Sequence, residues 1–555
     1  HIESEVLSMG NNNKKNNFNL NASFKTGKLK TDVIVSYMNQ SIHNRTFAMD
    51  RLVNNFTGML SPFDNGDWYK AKYQTSLGYK YVKGKDTQSL TPGENIYRNG
   101  FKGDIADYFW NTNAKQQEEI TNRLIASVTE TYTIYQDLKI RGRASTDLTS
   151  VNVESKNPVE RPLVYGFGPG SFEMISQDYN ILYGDVMLTY SKKINEDFDF
   201  GAVAGYTATK ETGSSLSRAT NGGLSVEGWY DINASVNTPT GTSSRYEVVK
   251  DAVFGTVNGS YKNYLFLEGT IRKDRTSTMN PNNNAFTYPS VNSSFVLSEA
   301  IQLPEVINYA KLRASWGIVG NYPEKYLANV AFQQSTLGTQ GTTAPVLITN
   351  SMAKYGNEGI KPEMKNEYEL GFETKFFDRR LGLDLSYYNA HVYDQILDLT
   401  LAPTTGANSI LANVGELRNQ GIEIALTGSP IRTENFSWDI TLNWAKNTNK
   451  ILKLANGATE LLHADYDGSA AQLKSVVGEP MGGIYAHPVK TDANGNRMVD
   501  SNGFHMIDGD KWEKYGTAMP KGVGGLMNTF TYKNFTLDVN IDYSYGGYLM
   551  PTGIN

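Results

Sequence analysis

The chain has 555 residues, a net charge of −5 and no cysteine. Without cysteine it has no disulfides, thiolate metal sites or cysteine nucleophiles, and it lacks the basic footprint of a nucleic-acid-binding protein. Charged residues make up 20% of the chain, aromatic residues 12%, and the mean hydropathy is −0.44. A helical membrane protein would be far more apolar, whereas a barrel whose strands are apolar at every second residue has this composition.

Segments that alternate apolar and polar residues run along the chain and predict an all-β protein. Because successive side chains of a strand point to opposite faces, each segment forms a strand with one apolar face and one wet face. Neighbouring segments joined by a short turn predict hairpins. Counting the segments predicts roughly 16 strands. The clearest of them are 18–37, 124–140, 186–206, 253–271, 312–318, 367–388, 422–444 and 526–545.

The last segment shows the pattern most plainly. From Phe535 to Tyr545, apolar or aromatic residues alternate with Thr, Asp, Asn and Ser without a break. This alternation is compatible with an apolar face that meets a second sheet, as in a soluble sandwich, and with one that meets lipid.

The connections between the strands favour lipid. Short turns alternate with long polar stretches, and aromatic residues crowd the short turns, as in an interfacial girdle. This is the pattern of an outer-membrane barrel with short periplasmic turns and long extracellular loops. The short turns include 24–30, 261–264, 376–382 and 532–535. The long stretches include 40–67, 83–119, 210–246 and 450–522.

Two places break the alternation. Asn528 falls on the face that Phe530 places outward, and Glu268 and Arg272 share a face with Phe266. Local bulges, strand ends near the membrane interface or a different strand register would each explain these exceptions.

Six longer motifs follow one another along the chain. They are TYPSVNSSFVLSE (287–299), LRASWGIVGN (312–321), GNEGIKPEMKNEYELGFETKFF (356–377), GLDLSYYNAHVYDQI (382–396), NVGELRNQGIEIAL (413–426) and VGEPMGGIYA (477–486). Together, and in this order, they resemble the barrel of SusC/RagA-type TonB-linked outer-membrane transporters. The resemblance extends over most of the chain from about residue 18 onward.

The resemblance implies both fold and function. It implies a large antiparallel transmembrane β-barrel, of which most strands are represented here; the family barrel has about 22 strands. The family's N-terminal plug and final strands are not evident in the sequence, so we expect residues 1–555 to be part of a longer polypeptide. The location implied is the outer membrane of a Gram-negative, Bacteroidetes-like cell, with multiple passes through its lipid.

The implied activity is active import of a large nutrient, either an oligosaccharide or an oligopeptide. The partners implied are a SusD-like surface lipoprotein that closes over the cargo, and the TonB complex, acting through the missing N-terminal part. A dimer of transporter–lipoprotein pairs is also implied. No covalent chemistry is performed, so we do not expect an enzyme or a cofactor.

Residues that could carry other chemistry are scattered. The histidines have neither the His-x-His nor the HExxH spacing of metal sites. Acidic residues such as Glu367 and Glu369, or Asp538 and Asp542, lie at strand spacing on the wet face, where a solvated wall requires polar residues. We therefore predict no catalytic, cofactor-binding or metal-ligating residues, and the motifs assign no substrate contacts.

Two loop features have alternative interpretations. The segment DANGNRMVDSNGFHMID (492–508) has the one-three-five oxygen spacing of a calcium loop in Asp492, Asn494 and Asn496, but lacks the glycine at six together with the glutamate at twelve. It also fits a polar loop built on Asn-Gly turns. The aromatic segments 107–111 and 228–231, and Trp512, fit either stacking against cargo or anchoring of their loops.

Two rival functions remain. A TonB-dependent receptor without a lipoprotein lid, for a siderophore or cobalamin, would share the barrel. A non-transporting β-rich surface or secretion-associated protein would share only the strand pattern.

Overall fold

A computed structural model describes residues 2–4, 11–44, 66–81, 103–163, 169–328, 332–336, 345–349, 354–400, 409–466 and 470–549. These residues contain one sheet of eighteen strands. Two of the eighteen are short, β1 (Ile2–Ser4) and β14 (Lys354–Tyr355), so sixteen long strands remain. The predicted number of strands is confirmed.

The long strands follow one another along the chain. They are β2 (Asn12–Thr26), β3 (Leu29–His43), β4 (Gln116–Tyr135), β5 (Leu138–Asn157), β6 (Ser171–Lys193), β7 (Phe198–Leu224), β8 (Ser235–Tyr261), β9 (Leu265–Thr276), β10 (Ala285–Val296), β11 (Ile307–Asn321), β15 (Glu363–Phe376), β16 (Leu381–Thr400), β17 (Ser409–Arg432), β18 (Phe436–Lys453), β23 (Gly522–Tyr532) and β24 (Phe535–Tyr545).

The long strands form an up-and-down meander. Each pairs antiparallel with the next long strand along the chain, from β2 with β3 to β23 with β24. Antiparallel neighbours can be joined by tight turns, which is why short connections recur. Among the residues that the structure describes, β1 pairs antiparallel with β2, on the side of β2 away from β3, and β14 pairs parallel with β17.

The register of the meander sorts the side chains into two faces. Directly opposite residues share a face, so apolar residues of successive strands form continuous rows on one side. One such row is Leu265, Phe295, Leu312, Phe372, Leu385, Ile424 and Trp444. The neighbouring row, on the opposite side, is Lys311, Glu373, Asp384, Ala425, Asn443, Gly525 and Asp542. We call the apolar side the outer face and the polar side the inner face.

Both exceptions in the sequence pattern lie in strands of regular register, so the explanation by bulges is wrong, whereas Phe266 does lie at a strand end, as the second residue of β9. Asn528 lies on the outer face, where its side-chain oxygen accepts a hydrogen bond from the indole N–H of Trp438 at 3.2 Å. Glu268 and Arg272 lie on the inner face with the other polar residues, and Phe266 is the aromatic exception there. A polar atom on the outer face is therefore hydrogen-bonded within the sheet rather than left unpaired.

The short turns lie at one end of the sheet, and their aromatic residues form a belt. Lys262 and Asn263 have left-handed φ values of 48° and 58°, as a tight hairpin turn requires. The rings of Phe198 and Tyr261 lie 4.6 Å apart, and those of Tyr261 and Tyr264 lie 5.4 Å apart. Phe24 and Phe535 stand 61% and 78% exposed at the same end. The predicted girdle is confirmed.

The other end of the sheet carries the long connections, although two of them were predicted wrongly. Stretch 210–246 is mostly strand, because β7 continues to Leu224 and β8 begins at Ser235, so the two strands form a tall hairpin. Stretch 450–522 contains a second sheet of four short strands. Most of 40–67 and part of 83–119 lie outside the described residues. The four strands are β19 (Glu460–Tyr466), β20 (Ala471–Val476), β21 (Gly483–Ala486) and β22 (Glu513–Thr517).

The remaining elements are small. Strands β12 (Phe332–Thr336) and β13 (Pro345–Thr349) form a two-stranded sheet. The helices are α1 (Gly66–Lys72), α2 (Gly103–Asn113) and α3 (Leu297–Ala300), and short 3-10 turns occupy Ile232–Ala234, Pro281–Asn283 and Ala455–Gly457. In the part of the chain with described coordinates, none of the helices has the length and apolar character needed to cross a membrane.

Candidate functional site: the inner wall and the long-loop end

Ion pairs that bridge strands organise the inner face. Arg313 of β11 reaches across β15 to Asp384 of β16, with two hydrogen bonds of 2.6 and 3.1 Å, and lies 3.6 Å from Glu373. The guanidinium fits because residue 371 is glycine: a Cβ there would lie 2.7 Å from Arg313 Nε. Bidentate pairing of this kind fixes both side chains and gives the wall a defined polar shape.

A second such group crosses β5 and β6. The carboxylate of Asp185 is fully buried and accepts hydrogen bonds from Arg141 at 3.0 Å and from Arg143 at 2.7 Å. Arg143 also lies over the ring of Tyr183, 4.8 Å from its centroid. Because one carboxylate serves two guanidinium groups, this part of the wall keeps a net positive charge. The sequence signal that could have found it is the R-x-R spacing of Arg141 and Arg143 on one strand face.

A polar groove follows the inner wall between two rows of inward side chains. A cavity of about 690 Å³ extends from Asp199 of β7 to Glu369 of β15. A second cavity of about 740 Å³ shares Arg313 with the first and continues to Asp542 of β24. The acidic residues predicted to form a solvated wall all lie on the inner face, and two of them, Glu369 and Asp542, line this groove. Such a surface can guide a hydrated, hydrogen-bonding solute or hold a polypeptide segment.

Three connections at the long-loop end share one apolar core. Val159, Phe172, Leu224 and Ala234 are buried together, and Tyr79, Leu163, Tyr230 and Ile232 pack around them. The hydroxyl of Tyr79 donates a hydrogen bond of 2.7 Å to Glu227, and this bond to the carboxylate raises the pKa of Tyr79. Glu227 also accepts the backbone N–H of Leu163 at 3.0 Å. We call this packed group of loop residues the platform; it lies at the long-loop end of the sheet.

A second apolar cluster holds the other loops. Met279, Ala328, Ile360 and Leu411 are buried against one another, and they come from connections that follow β9, β11 and β14 and from β17. The side chain of Asn357 donates to the backbone of Leu411 at 2.8 Å. The long-loop end thus has at least two packed centres, which distinguishes it from the short-turn end.

The second sheet is built around a buried lysine. Lys474 is 7% exposed, pairs with Glu460 at 3.2 Å and lies over the rings of Tyr485 and Trp512, at 4.6 and 5.6 Å from their centroids. A cation between aromatic faces is held by their quadrupoles. The ring of Trp512 also lies against that of His487 in a tilted arrangement, with 4.0 Å between the ring centroids. Trp512 therefore anchors its loop to the second sheet.

A carboxylate of the same loop is strongly paired. The ammonium of Lys514 donates to Glu479 at 2.5 Å and the hydroxyl of Tyr485 donates at 3.1 Å. The hydrogen bond from Lys514, more than that from Tyr485, holds the pKa of Glu479 below its usual range. Burial and the hydrogen bond to Glu479 raise the pKa of Tyr485 to about 12.

Segment 492–508 is built on Asn-Gly turns. Asp492 accepts the backbone N–H groups of Asn494 and Asn496 at 2.8 and 2.9 Å, and Asp500 accepts those of Asn502 and Phe504 in the same way. The hydrogen bonds from Asn496 lower the pKa of Asp492. These carboxylates therefore close their own turns. Over the residues that the structure places, no three His, Asp or Glu side chains converge to hold a metal ion.

The remaining aromatic candidates separate by burial. Trp110 is fully buried and anchors its helix, whereas Trp229 is 47% exposed at the tip of the β7–β8 hairpin. Tyr230, next to it, packs on the platform core. The histidines do not meet: His391 faces Glu416, His463 bonds to Ser475 and His487 bonds to the backbone of Lys511. His1 lies outside the described residues.

Comparison with known proteins agrees with this architecture. The model of the family described as "TonB dependent receptor-like, beta-barrel" matches residues 9–549. The chain belongs to this family. It is accordingly an outer-membrane β-barrel protein, whose outer face meets lipid and whose long-loop end is extracellular. The predicted fold class and location are confirmed.

The relatives place the chain within the family. TonB-dependent receptor P26 of Formosa agariphila is 26% identical over 469 residues, which are 80% of this chain and 46% of that protein. TonB-dependent receptor SusC of Bacteroides thetaiotaomicron is 25% identical over 417 residues, 69% of this chain and 40% of SusC. The chain thus spans less than half the length of these two relatives.

A solved structure shows the same fold. The structure of the RagAB peptide transporter superposes with a TM-score of 0.77 at 17% identity, covering 97% of this chain and 58% of that chain. With SusC among the relatives and this fold, the resemblance to SusC/RagA-type transporters inferred from the motifs is confirmed.

Proposed function

We propose that the chain forms the barrel of a TonB-dependent active importer that takes up a large nutrient, an oligosaccharide or an oligopeptide. A SusD-like surface lipoprotein closes over the cargo at the long-loop end, and the TonB complex supplies inner-membrane energy. Transporter–lipoprotein pairs associate as a dimer. No covalent step is part of this proposal, since the wall supplies a path and the loops supply recognition.

The observation that carries the proposal is the asymmetry of the barrel. One end has tight turns with an aromatic belt, whereas the other has loops that share packed cores, together with a second sheet. A non-transporting surface protein has no need of a polar groove that follows the inner wall. Fixed loop platforms beside that groove are what capture of a cargo and docking of a lid require.

The test is a native pull-down of the full-length protein in mild detergent, with mass spectrometry of everything that remains bound. A stoichiometric surface lipoprotein is the expected result, and any cargo bound with it would reveal the nutrient class. A solitary detergent-soluble chain would favour the lidless receptor for a siderophore or cobalamin. Recovery without detergent would favour the surface or secretion-associated protein.

A further inference from the structure

The tall hairpin of β7 and β8 has a free edge. Strand β8 begins at Ser235, but its next neighbour, β9, pairs with it only from Lys250 onward. Between these points β8 is paired with β7 on one side. The segment Thr240–Arg245 is exposed, and it lies at the extracellular end of the barrel wall.

The backbone groups of alternate residues face this free side. The N–H of Val249 donates to the side-chain hydroxyl of Ser277, and its C=O accepts the backbone N–H of Ser277, at 2.8 Å each, on the side away from β7. The register with β7 is uninterrupted from Thr240 to Val249, and backbone groups alternate sides along an antiparallel strand. The N–H and C=O groups of Gly241, Ser243 and Arg245 therefore also point away from β7.

One side chain ends this row of free groups. The N–H of Glu247 donates to the hydroxyl of Tyr326 at 3.1 Å. Within the portion of the chain that is described, no partner occupies the outward backbone groups of Gly241, Ser243 and Arg245. At the far end Pro239 has no N–H to satisfy. The open row extends over about 13 Å from Gly241 to Arg245, at about 3.3 Å per residue.

Such an edge is usually blocked in soluble and surface proteins. Proteins protect edges with bulges, inward charges, prolines or covering loops, because unpaired groups recruit other strands. Here the described bulges of the β7–β8 pair lie beyond Ala219, toward the hairpin tip, and Pro239 precedes the open row rather than interrupting it. The residues from Thr240 to Ser244 are all small, either Gly, Ser or Thr, so they obstruct neither face of an incoming strand.

We propose that this edge binds an extended oligopeptide as an added β-strand, so that the imported nutrient is peptide rather than glycan. The inference rests on the import function proposed above. Only a polypeptide offers N–H and C=O groups at the two-residue repeat of about 6.8 Å that the edge presents. An oligosaccharide has hydroxyls without this alternation.

The side chains of the edge fit a broad peptide specificity. Backbone pairing gives affinity that does not depend on sequence, and the small hydroxyl residues leave room for different cargo side chains. Arg245 has no ion-pair partner among the residues whose contacts are known, so it can pair with an acidic side chain or the terminal carboxylate of the peptide. The open length corresponds to about five residues of extended chain.

Ser243→Pro and Ser243→Ala form a matched pair for the test. Proline at 243 removes an N–H that points away from β7, so the β7–β8 pairing keeps its hydrogen bonds. Alanine keeps the N–H and removes the hydroxyl. Binding to the full-length protein in detergent is measured by fluorescence anisotropy with three probes: a labelled eight-residue peptide, the same peptide N-methylated at alternate residues, and a labelled linear glucan heptasaccharide.

We expect the peptide to bind more tightly than both the N-methylated peptide and the glucan. Ser243→Pro should weaken peptide binding about tenfold, which corresponds to about 1.4 kcal/mol, and Ser243→Ala should change it less than twofold. Bound peptide should also slow amide hydrogen exchange in 240–247. Equal peptide affinity of the proline variant and the parent, or tighter binding of the glucan, would overturn the proposal.

Two further outcomes separate this inference from the function on which it rests. If the edge pairs two copies of the chain, Ser243→Pro will abolish self-association without affecting peptide, and the inference fails. If cells import peptide equally well with Ser243→Pro, the edge inference alone fails. If the chain supports import of neither peptide nor glycan, the proposed function itself fails.

Discussion

Replacing Ile424 by arginine tests the assignment of the two faces. Ile424 lies on the outer face between Leu385 and Trp444, in the middle of a continuous apolar row. An arginine facing lipid near the midplane costs about 2–4 kcal/mol. We expect Ile424→Arg to lower the free energy of unfolding in phospholipid vesicles by about this amount, or to prevent insertion altogether.

Ala425 is the matched control, because it neighbours Ile424 in sequence but faces inward. It lies directly between Asp384 and Asn443 and lines a cavity that Asp542 also lines. An arginine there would reach water and carboxylates, so we expect Ala425→Arg to fold as the parent does. Urea titration of both variants in vesicles, read by the electrophoretic shift of folded barrels, gives the comparison. Equal stabilities, or a reversed order, would refute the assignment of the outer face to lipid.

Other substitutions test individual contacts. Trp438→Phe removes the donor to Asn528 on the outer face. It should lower the free energy of unfolding by about 1–3 kcal/mol, because a polar group is left unpaired. Combining Trp438→Phe with Asn528→Leu should recover most of this stability, and no recovery in the vesicle titration would argue against the hydrogen bond. Asp185→Asn removes the negative charge shared by two arginines. It should lower the free energy of unfolding by about 1–3 kcal/mol in the same assay, and an unchanged urea midpoint would contradict the buried pairing. The carboxylate of Glu479 has a lowered pKa because Lys514 donates to it, so its contribution to the stability of the second sheet should be complete above the ordinary carboxyl pKa and vanish as pH falls through the lowered value. Hydrogen exchange across 460–517 should show this loss in the parent, and Glu479→Gln should remove it; identical pH profiles would contradict the pairing.

The strands and their faces could be predicted because the signal is local. The alternation from Phe535 to Tyr545 or around Leu385 repeats at every second residue, and lipid on one side and water on the other enforce it over the whole membrane span. The short turns could be predicted for the same reason, since a tight hairpin needs only a few residues in special conformations.

The parts that were missed lack this local signal. The upper half of the β7–β8 hairpin is wet on both faces, so the Thr, Ser and Gly residues from Thr240 onward have no period and resemble a loop. The strands of the second sheet are short and owe their order to contacts such as those of Lys474 with Tyr485 and Trp512.

The inner-wall contacts depend on register as well as on face. Alternation places Arg313, Glu373 and Asp384 on the wet side, but only the pairing of β11, β15 and β16 brings them together. Phe266 could not be assigned to the inner face from the sequence, because an aromatic residue in an alternating strand is expected on the apolar face. Likewise Trp110 and Trp229 have similar neighbours in sequence, and only the packing of the loops buries one and exposes the other.

Nutrient uptake by whole cells tests energised import through this barrel. Cells that carry the full-length protein are given labelled oligopeptides and labelled oligosaccharides, with and without a protonophore that collapses the inner-membrane gradient. We expect uptake of one class of nutrient, and we expect that uptake to be lost both when the gene is deleted and when the gradient is collapsed. Uptake that persists in the deletion strain, or that continues without the gradient, would contradict it.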